Sequence, residues 1–204
     1  MSLKALALNC TLKPSNSDQP SSTDRLLLEL IAELERYDCA CETLRTLDFE
    51  IKPGVMADMG EGDQWPQVRE RILAADILVI GTPIWLGQPS SVAKRVCERL
   101  DAFLSETDER RRMPTHGKVA LVAVVGNEDG AHHVAAELFQ ALNDVGFTIP
   151  AAGMTYWVGE AMQGKDYKDL GATPDPVASA TKMAASNAAH LARQLKSEGY
   201  AGYS

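Results

Sequence analysis

Three stretches of the chain carry side chains suited to chemistry. The first, Cys10 to Thr23, places Thr11, Lys13, Ser15, Ser17, Ser21, Ser22 and Thr23 between an apolar run and a helical pattern. Hydroxyls and one lysine ahead of a helix start suit a phosphate monoester, because free amide N–H groups and the positive end of the helix dipole favour an anion there. A hydrophilic loop with an ordinary helix cap would use the same residues. Neither G-x-x-x-x-G-K-[ST] nor G-x-G-x-x-G occurs, so the stretch is not a Walker loop or a dinucleotide fingerprint.

The second stretch is ILVIGTPIWLGQPSSVAKRVCERLD, Ile77 to Asp101. Gly81 and Gly87 permit close backbone approach, Pro83 and Pro89 stiffen the chain, and Trp85 offers a large flat face. A flat aromatic cofactor lying on rigid backbone would use all of these, whereas a tryptophan filling the core or a subunit contact would need none of the surrounding pattern. The third stretch, Gly126 to His133 (GNEDGAHH), supplies backbone amides, Asn127 and two histidines, or else a plain Asp129-Gly130 turn before a helix.

These stretches need elements to hold them. Leu3 to Asn9, Ile77 to Ile80 and Lys118 to Val125 are short, predominantly apolar runs and read as strands buried on both faces. Cys39 to Leu47 alternates weakly, like a strand nearer an edge, and Phe147 to Ala151 is expected to be a fifth strand. Helical spacing relates Leu26, Leu27, Leu30, Ile31 and Leu34, with Ser21 or Ser22 as the cap. It recurs from Trp65 to Leu73, from Val92 to Phe103 behind Ser90 or Ser91, and from Ala131 to Val145. Phe49 to Gln64 reads as loop, and an irregular segment over 153–176 precedes a last helix from about Val177 to Leu195. Parallel strands need crossovers of about a dozen residues or more, so the alternation predicts a doubly wound α/β sheet. Ligands bind such sheets outside the carboxyl ends of the strands, which is where all three stretches would meet.

The chain has 204 residues, 45% of them hydrophobic, which suits a single domain over 1–204. No apolar run reaches the roughly 18 residues of a membrane span, and Leu3 to Leu8 is too short for a signal peptide, so a soluble, cytoplasmic protein is expected. With 20 basic against 28 acidic residues, the net charge of -8 repels a nucleic-acid backbone. Cysteines 10, 39, 41 and 97 lack C-x-x-C spacing and read as reduced thiols, with Cys39 and Cys41 expected on opposite faces of their strand.

A strand ending in a hydroxyl-rich loop, then G-T-P-I-W-L-G-Q-P-S-S-x-x-K-R-x-x-E-R-L-D, then G-N-E-D-G, resembles the flavodoxin-like NAD(P)H-dependent FMN reductases and quinone reductases. The likeness runs over roughly Lys4 to Pro150 and is most specific in its middle motif. It implies a flavodoxin-like three-layer sandwich, a five-stranded parallel sheet in the order 2-1-3-4-5 with helices on both faces. It also implies bound FMN, NADPH or NADH as co-substrate, a small-molecule electron acceptor such as a quinone or flavin, and a homodimer or homotetramer. By position, Thr11, Lys13, Ser22 and Thr23 would meet the phosphate. Pro83, Ile84, Trp85, Leu86 and Gly87 would meet the flavin ring, with Gly126, Asn127, Asp129 and Gly130 opposite. Two departures stand out: Cys10 occupies a place where the family often has Gly or Ser, and Pro14 to Pro20 looks like an insertion. No acid, base or nucleophile is assigned, because hydride chemistry belongs to the cofactor.

Other features admit two readings. Arg110, Arg111 and Arg112 would serve a 2′-phosphate or a solvated face, and Tyr156 and Trp157 would line a substrate pocket across a dimer or pack within the chain. A flavodoxin-like electron carrier, binding FMN without meeting a pyridine nucleotide, is the main alternative function. A phospho-acceptor domain would need acids where Asn9 and Cys10 stand, and the G-x-S-x-G of an α/β-hydrolase is absent.

Overall fold

The computed structural model describes residues 2–160 and 163–203. Its strands are β1 (Leu3–Asn9), β2 (Cys39–Arg45), β3 (Ile77–Trp85), β4 (Gln88–Pro89), β5 (Val119–Gly126) and β6 (Met154–Val158). Its α-helices are α1 (Ser22–Glu35), α2 (Trp65–Ala74), α3 (Ser91–Leu100), α4 (Ala131–Asp144) and α5 (Asp175–Ser197). The sheet runs β2-β1-β3-β5-β6 with every neighbour parallel, and the two-residue β4 folds back antiparallel on β3. Setting β4 aside, this is the expected order of five strands.

The apolar character of β1 and β5 follows from burial on both faces. Leu6 and Leu8 of β1, with Ala120, Val122 and Val124 of β5, pack against α2, α3 and α4. Leu3, Ala5 and Ala7, with Val119, Leu121, Ala123 and Val125, pack against α1 and α5. Along α1, Leu26, Leu27, Leu30 and Leu34 are each at most 1% exposed. Burial of one such leucine contributes about 1.5–3 kcal/mol relative to exposure. Ser21 caps α1 by accepting the Asp24 amide, and Ser90 caps α3 by accepting that of Ala93.

Three local readings of the sequence are corrected. The fifth strand is Met154–Val158 rather than Phe147 to Ala151. Thr148 makes a single bridge to Val119, but Pro150 has no N–H for the ladder, and the chain turns through Ala152 (φ 53) before pairing resumes. Cys39 and Cys41 pack against the same cluster, because residues two apart on a strand share a face. Finally, β3 does not stop at Ile80: Gly81 to Pro83 continue it along β5, Ile84 and Trp85 pair with β4, and the expected loop shrinks to Leu86 and Gly87.

Candidate functional site

β1 ends at Asn9, opposite Gly81, while β3 runs on to Trp85. Beyond Gly81, therefore, β3 runs past the end of β1, and its last two residues, Ile84 and Trp85, pair with the short β4. This is the point where the strand order reverses, since the chain leaves β1 for β2 on one side and returns to β3 on the other. A crevice is expected there.

A cleft of about 150 Å³ opens at that place. Thr11, Lys13, Ser22 and Thr23 line one end; Pro83, Ile84, Trp85, Gly126 and Asn127 line the rest. Larger hollows exist, such as one of about 240 Å³ between Thr46 and Arg95 and one of about 410 Å³ beside Tyr200. Neither gathers residues from all three stretches.

Leu86, Gly87, Asp129 and Gly130 stand beside the cleft without lining it. They build its rim. Leu86 (φ 52) and Gly87 (φ 75) are both left-handed, the backbone of a two-residue hairpin turn, and Leu86 is 91% exposed. Its amide donates to Glu128 Oε1 at 2.8 Å. Gly130 (φ 124) lies so close to the hairpin that an added Cβ would sit 2.9 Å from Gly87 Cα. The rim thus depends on two glycines touching. Trp85, at 53% exposed, does not fill the core.

Sequence reasoning missed one wall. Asp166 and Tyr167 also line the cleft, together with Ser21, Val125 and Glu128. Asp166 and Tyr167 lie beside the start of α1, where the Lys168 amide donates to Ser22 Oγ at 3.2 Å. Asn127 Nδ2 donates to Asp166 Oδ1 at 3.0 Å, joining this segment to the third stretch. Tyr167 is fully buried, with Arg25 over its ring at 4.8 Å and Trp157 beside it at 5.4 Å. The only local signal was the alternation of charge around an aromatic in Lys165 to Asp169 (KDYKD), which says nothing of its distance from Asn127.

The shifts of Tyr167, Lys168 and Cys10 each keep the group in its ordinary charge state at neutral pH. Burial and the hydrogen bond to Glu29 push the Tyr167 hydroxyl far above its ordinary range. Bonds to Asp169 and Asp166 raise the Lys168 ammonium, so it stays charged. Cys10, the buried first residue of the first stretch, is pushed up to about 12 by burial and remains a thiol. Among the described residues no group of three or more His, Cys, Asp or Glu side chains is placed to hold a metal ion. No described helix is long and apolar enough to cross a membrane.

Two further sets of residues stand outside the cleft lining. Arg112 pairs with Asp108 and donates to the Tyr200 carbonyl, ahead of the first residue of β5. That end of the eight-residue strand is roughly 25 Å from the end that lines the cleft. Tyr156 packs edge-on against His132 at 5.0 Å and Trp157 against Tyr167, both within the chain.

The donor set fits a flat, phosphorylated ligand. At one end, hydroxyls from Thr11, Ser21, Ser22 and Thr23 join Lys13 and the first amides of α1, which have no intrahelical partners. At the other, the aromatic face of Trp85 stands against extended backbone from β3 and the end of β5.

Comparison with known proteins agrees. A family model described as NADPH-dependent FMN reductase matches residues 3–163. The 8-demethyl-8-aminoriboflavin-5′-phosphate synthase of Streptomyces davaonensis is 33% identical, over 98% of this chain and 81% of its own length. The crystal structure of RosB with the bound intermediate 8-demethyl-8-formylriboflavin-5′-phosphate has a TM-score of 0.89 at 33% identity, covering 98% of this chain and 82% of that one. The divalent metal cation transporter MntH of Mycobacterium bovis is 40% identical over 83% of this chain, which spans a quarter (25%) of that relative's length. The parallel sheet, the cleft at its switch point and the family match lead to one assignment: the chain belongs to the NADPH-dependent FMN reductase family, flavodoxin-like oxidoreductases that use FMN.

Proposed function

We propose that the protein is an FMN-dependent oxidoreductase that takes hydride from NADPH or NADH and delivers it to a small acceptor such as a quinone or a flavin. The observation that carries this reading is the meeting, in one cleft, of the hydroxyl-rich start of α1 with the Trp85 hairpin. Bound FMN would supply the redox chemistry, receiving and releasing two electrons. Thr11, Lys13, Ser22 and Thr23 would hold its phosphate. Pro83, Ile84, Trp85, Leu86 and Gly87 would border its ring, with Gly126, Asn127, Asp129 and Gly130 opposite. The protein's part is positional: Glu128 holds the hairpin through the Leu86 amide, and the paired glycines fix how closely the two rims approach. A homodimer or homotetramer working in the cytoplasm, away from membranes and nucleic acid, completes the reading. The free cysteines fit a reducing compartment and the acidic charge disfavours nucleic acid.

The test is titration with FMN, followed by anaerobic addition of NADPH or NADH while the flavin absorbance is watched. Loss of the oxidised band supports the reductase. Binding with no loss favours a flavodoxin-like electron carrier, and no binding removes the flavin reading of the cleft.

A second reading is favoured by the full-length likeness to the Streptomyces davaonensis synthase, whose name describes a flavin carrying an amino group where the 8-methyl stood. Under that reading FMN is a substrate changed at its benzenoid edge. Mass analysis of the flavin after incubation with dioxygen as oxidant and an added amino-group donor such as an amino acid separates the two: unchanged FMN supports the reductase, a flavin of altered mass supports the modifying enzyme.

A further inference from the structure

Beneath the hydroxyl-rich end of the cleft lies a ring of hydrogen bonds made by three residues that do not line it. Arg45, the last residue of β2, donates through Nη1 to the Lys13 carbonyl at 2.6 Å and through Nη2 to Asp24 Oδ2 at 2.5 Å. The other carboxylate oxygen of Asp24 accepts from Asn9 Nδ2. Asn9, wholly buried at the end of β1, closes the ring by accepting the Thr11 amide through Oδ1 at 3.1 Å. Both ends of the ring, Thr11 and Lys13, are cleft residues.

Asp24 is the unusual member. It stands in the first turn of α1, one residue past Thr23. A carboxylate there suits an isolated helix, because it meets the positive end of the dipole. It does not suit a helix start that must receive a phosphate, since two anions would then share one donor field. Arg45 resolves the conflict. Its guanidinium is 17% exposed and faces the carboxylate directly, so the pair presents no net charge to the cleft.

We propose that Arg45 is a positioning residue for the phosphate end of the cleft: it cancels the charge of Asp24 and, by gripping the Lys13 carbonyl, fixes the first loop to the start of α1. The inference rests on the flavin reading of the cleft. It makes the end of β2, which never reaches the ligand, a determinant of affinity for a phosphorylated flavin.

A double-mutant cycle on Arg45 and Asp24 tests it, with the FMN dissociation constant and the melting temperature as readouts. Arg45→Met is expected to weaken FMN binding about tenfold, within the usual range for directly coupled groups. Adding Asp24→Asn to Arg45→Met should restore affinity to within about threefold of wild type, because the exposed anion is then gone. Arg45→Lys, which keeps the charge but not the two-pronged grip, should fall between them. If Arg45→Met binds FMN as wild type does, or if the double variant binds as weakly as Arg45→Met, the charge-cancelling role is wrong. Loss of binding that tracks a lower melting temperature across all three variants also overturns it, since that is what a merely structural arginine would do. A wild-type protein that binds no FMN instead refutes the flavin reading on which the inference rests.

Discussion

Arg99 and Asp63 form an ion pair at 2.8 Å in which neither side chain is exposed to solvent. Arg99 comes from α3 and Asp63 from the loop before α2, and the same guanidinium also donates to the carbonyls of Lys52 and Met56. Asp63 in turn accepts the amides of Lys52, Met59 and Trp65. One buried salt bridge therefore organises a loop rich in glycine and acid that has little apolar surface of its own to bury. Removing one partner leaves a buried charge unmatched, which costs about 3 kcal/mol or more. Asp63→Asn is thus expected to lower the melting temperature by about 6–12 °C for a chain of this size, measured by circular dichroism. A change under about 2 °C would mean that water reaches Arg99 once Asp63 is neutral.

The same pair sets an acid limit. Burial alone would raise the Asp63 carboxyl, but the Met59 amide, the Arg99 guanidinium and the amides of Trp65 and Lys52 outweigh it and hold the group below the usual carboxylate range. Its folded value lies below its unfolded value of about 3.9, so its contribution is fully present above about pH 4 and is lost as pH falls through the folded value. Wild type should lose stability below about pH 4 more steeply than Asp63→Asn. Parallel acid limbs in urea melts of the two proteins would assign the acid limit to other carboxylates.

Trp85 should separate binding from stability. Because it is half exposed, Trp85→Ala removes little core contact, and the melting temperature is expected to stay within about 2 °C of wild type. Affinity for FMN, read by fluorescence titration, should fall about tenfold through loss of the aromatic face. A large drop in melting temperature with unchanged affinity would give Trp85 a packing role instead.

Gly130→Ala is expected to disturb the rim from the opposite side. The added Cβ would stand 2.9 Å from Gly87 Cα, at a backbone φ of 124 that side chains rarely adopt. Strain of this kind costs about 1–3 kcal/mol. The variant should show both a lower melting temperature and faster hydrogen exchange of the Leu86 amide, now bonded to Glu128. Exchange unchanged at Leu86 would mean that the hairpin is held by Glu128 without help from the glycine contact.

The order of strands and helices was legible in the residues, because an apolar run buried on both faces and a 3.6-residue apolar stripe are each a local consequence of what the element must cover. β1, α1 and β5 show this, as does the capping chemistry of Ser21 and Ser90, though which serine of each pair acts needed the backbone angles. Nine of the thirteen expected site residues line one cleft for a related reason: they sit at the carboxyl ends of β3 and β5 or in the connections that leave β1 and β5, and a parallel sheet brings such positions together at one edge. Long-range matters were not legible. Pro150 shifted the last strand from 147–151 to Met154–Val158, Asp166 and Tyr167 arrived at the cleft from a segment about 40 residues beyond Asn127, and Arg45 met Asp24 across two elements. Such pairings depend on crossover paths and sheet register, which no local spacing records, and they came into view only when the chain was followed through its fold.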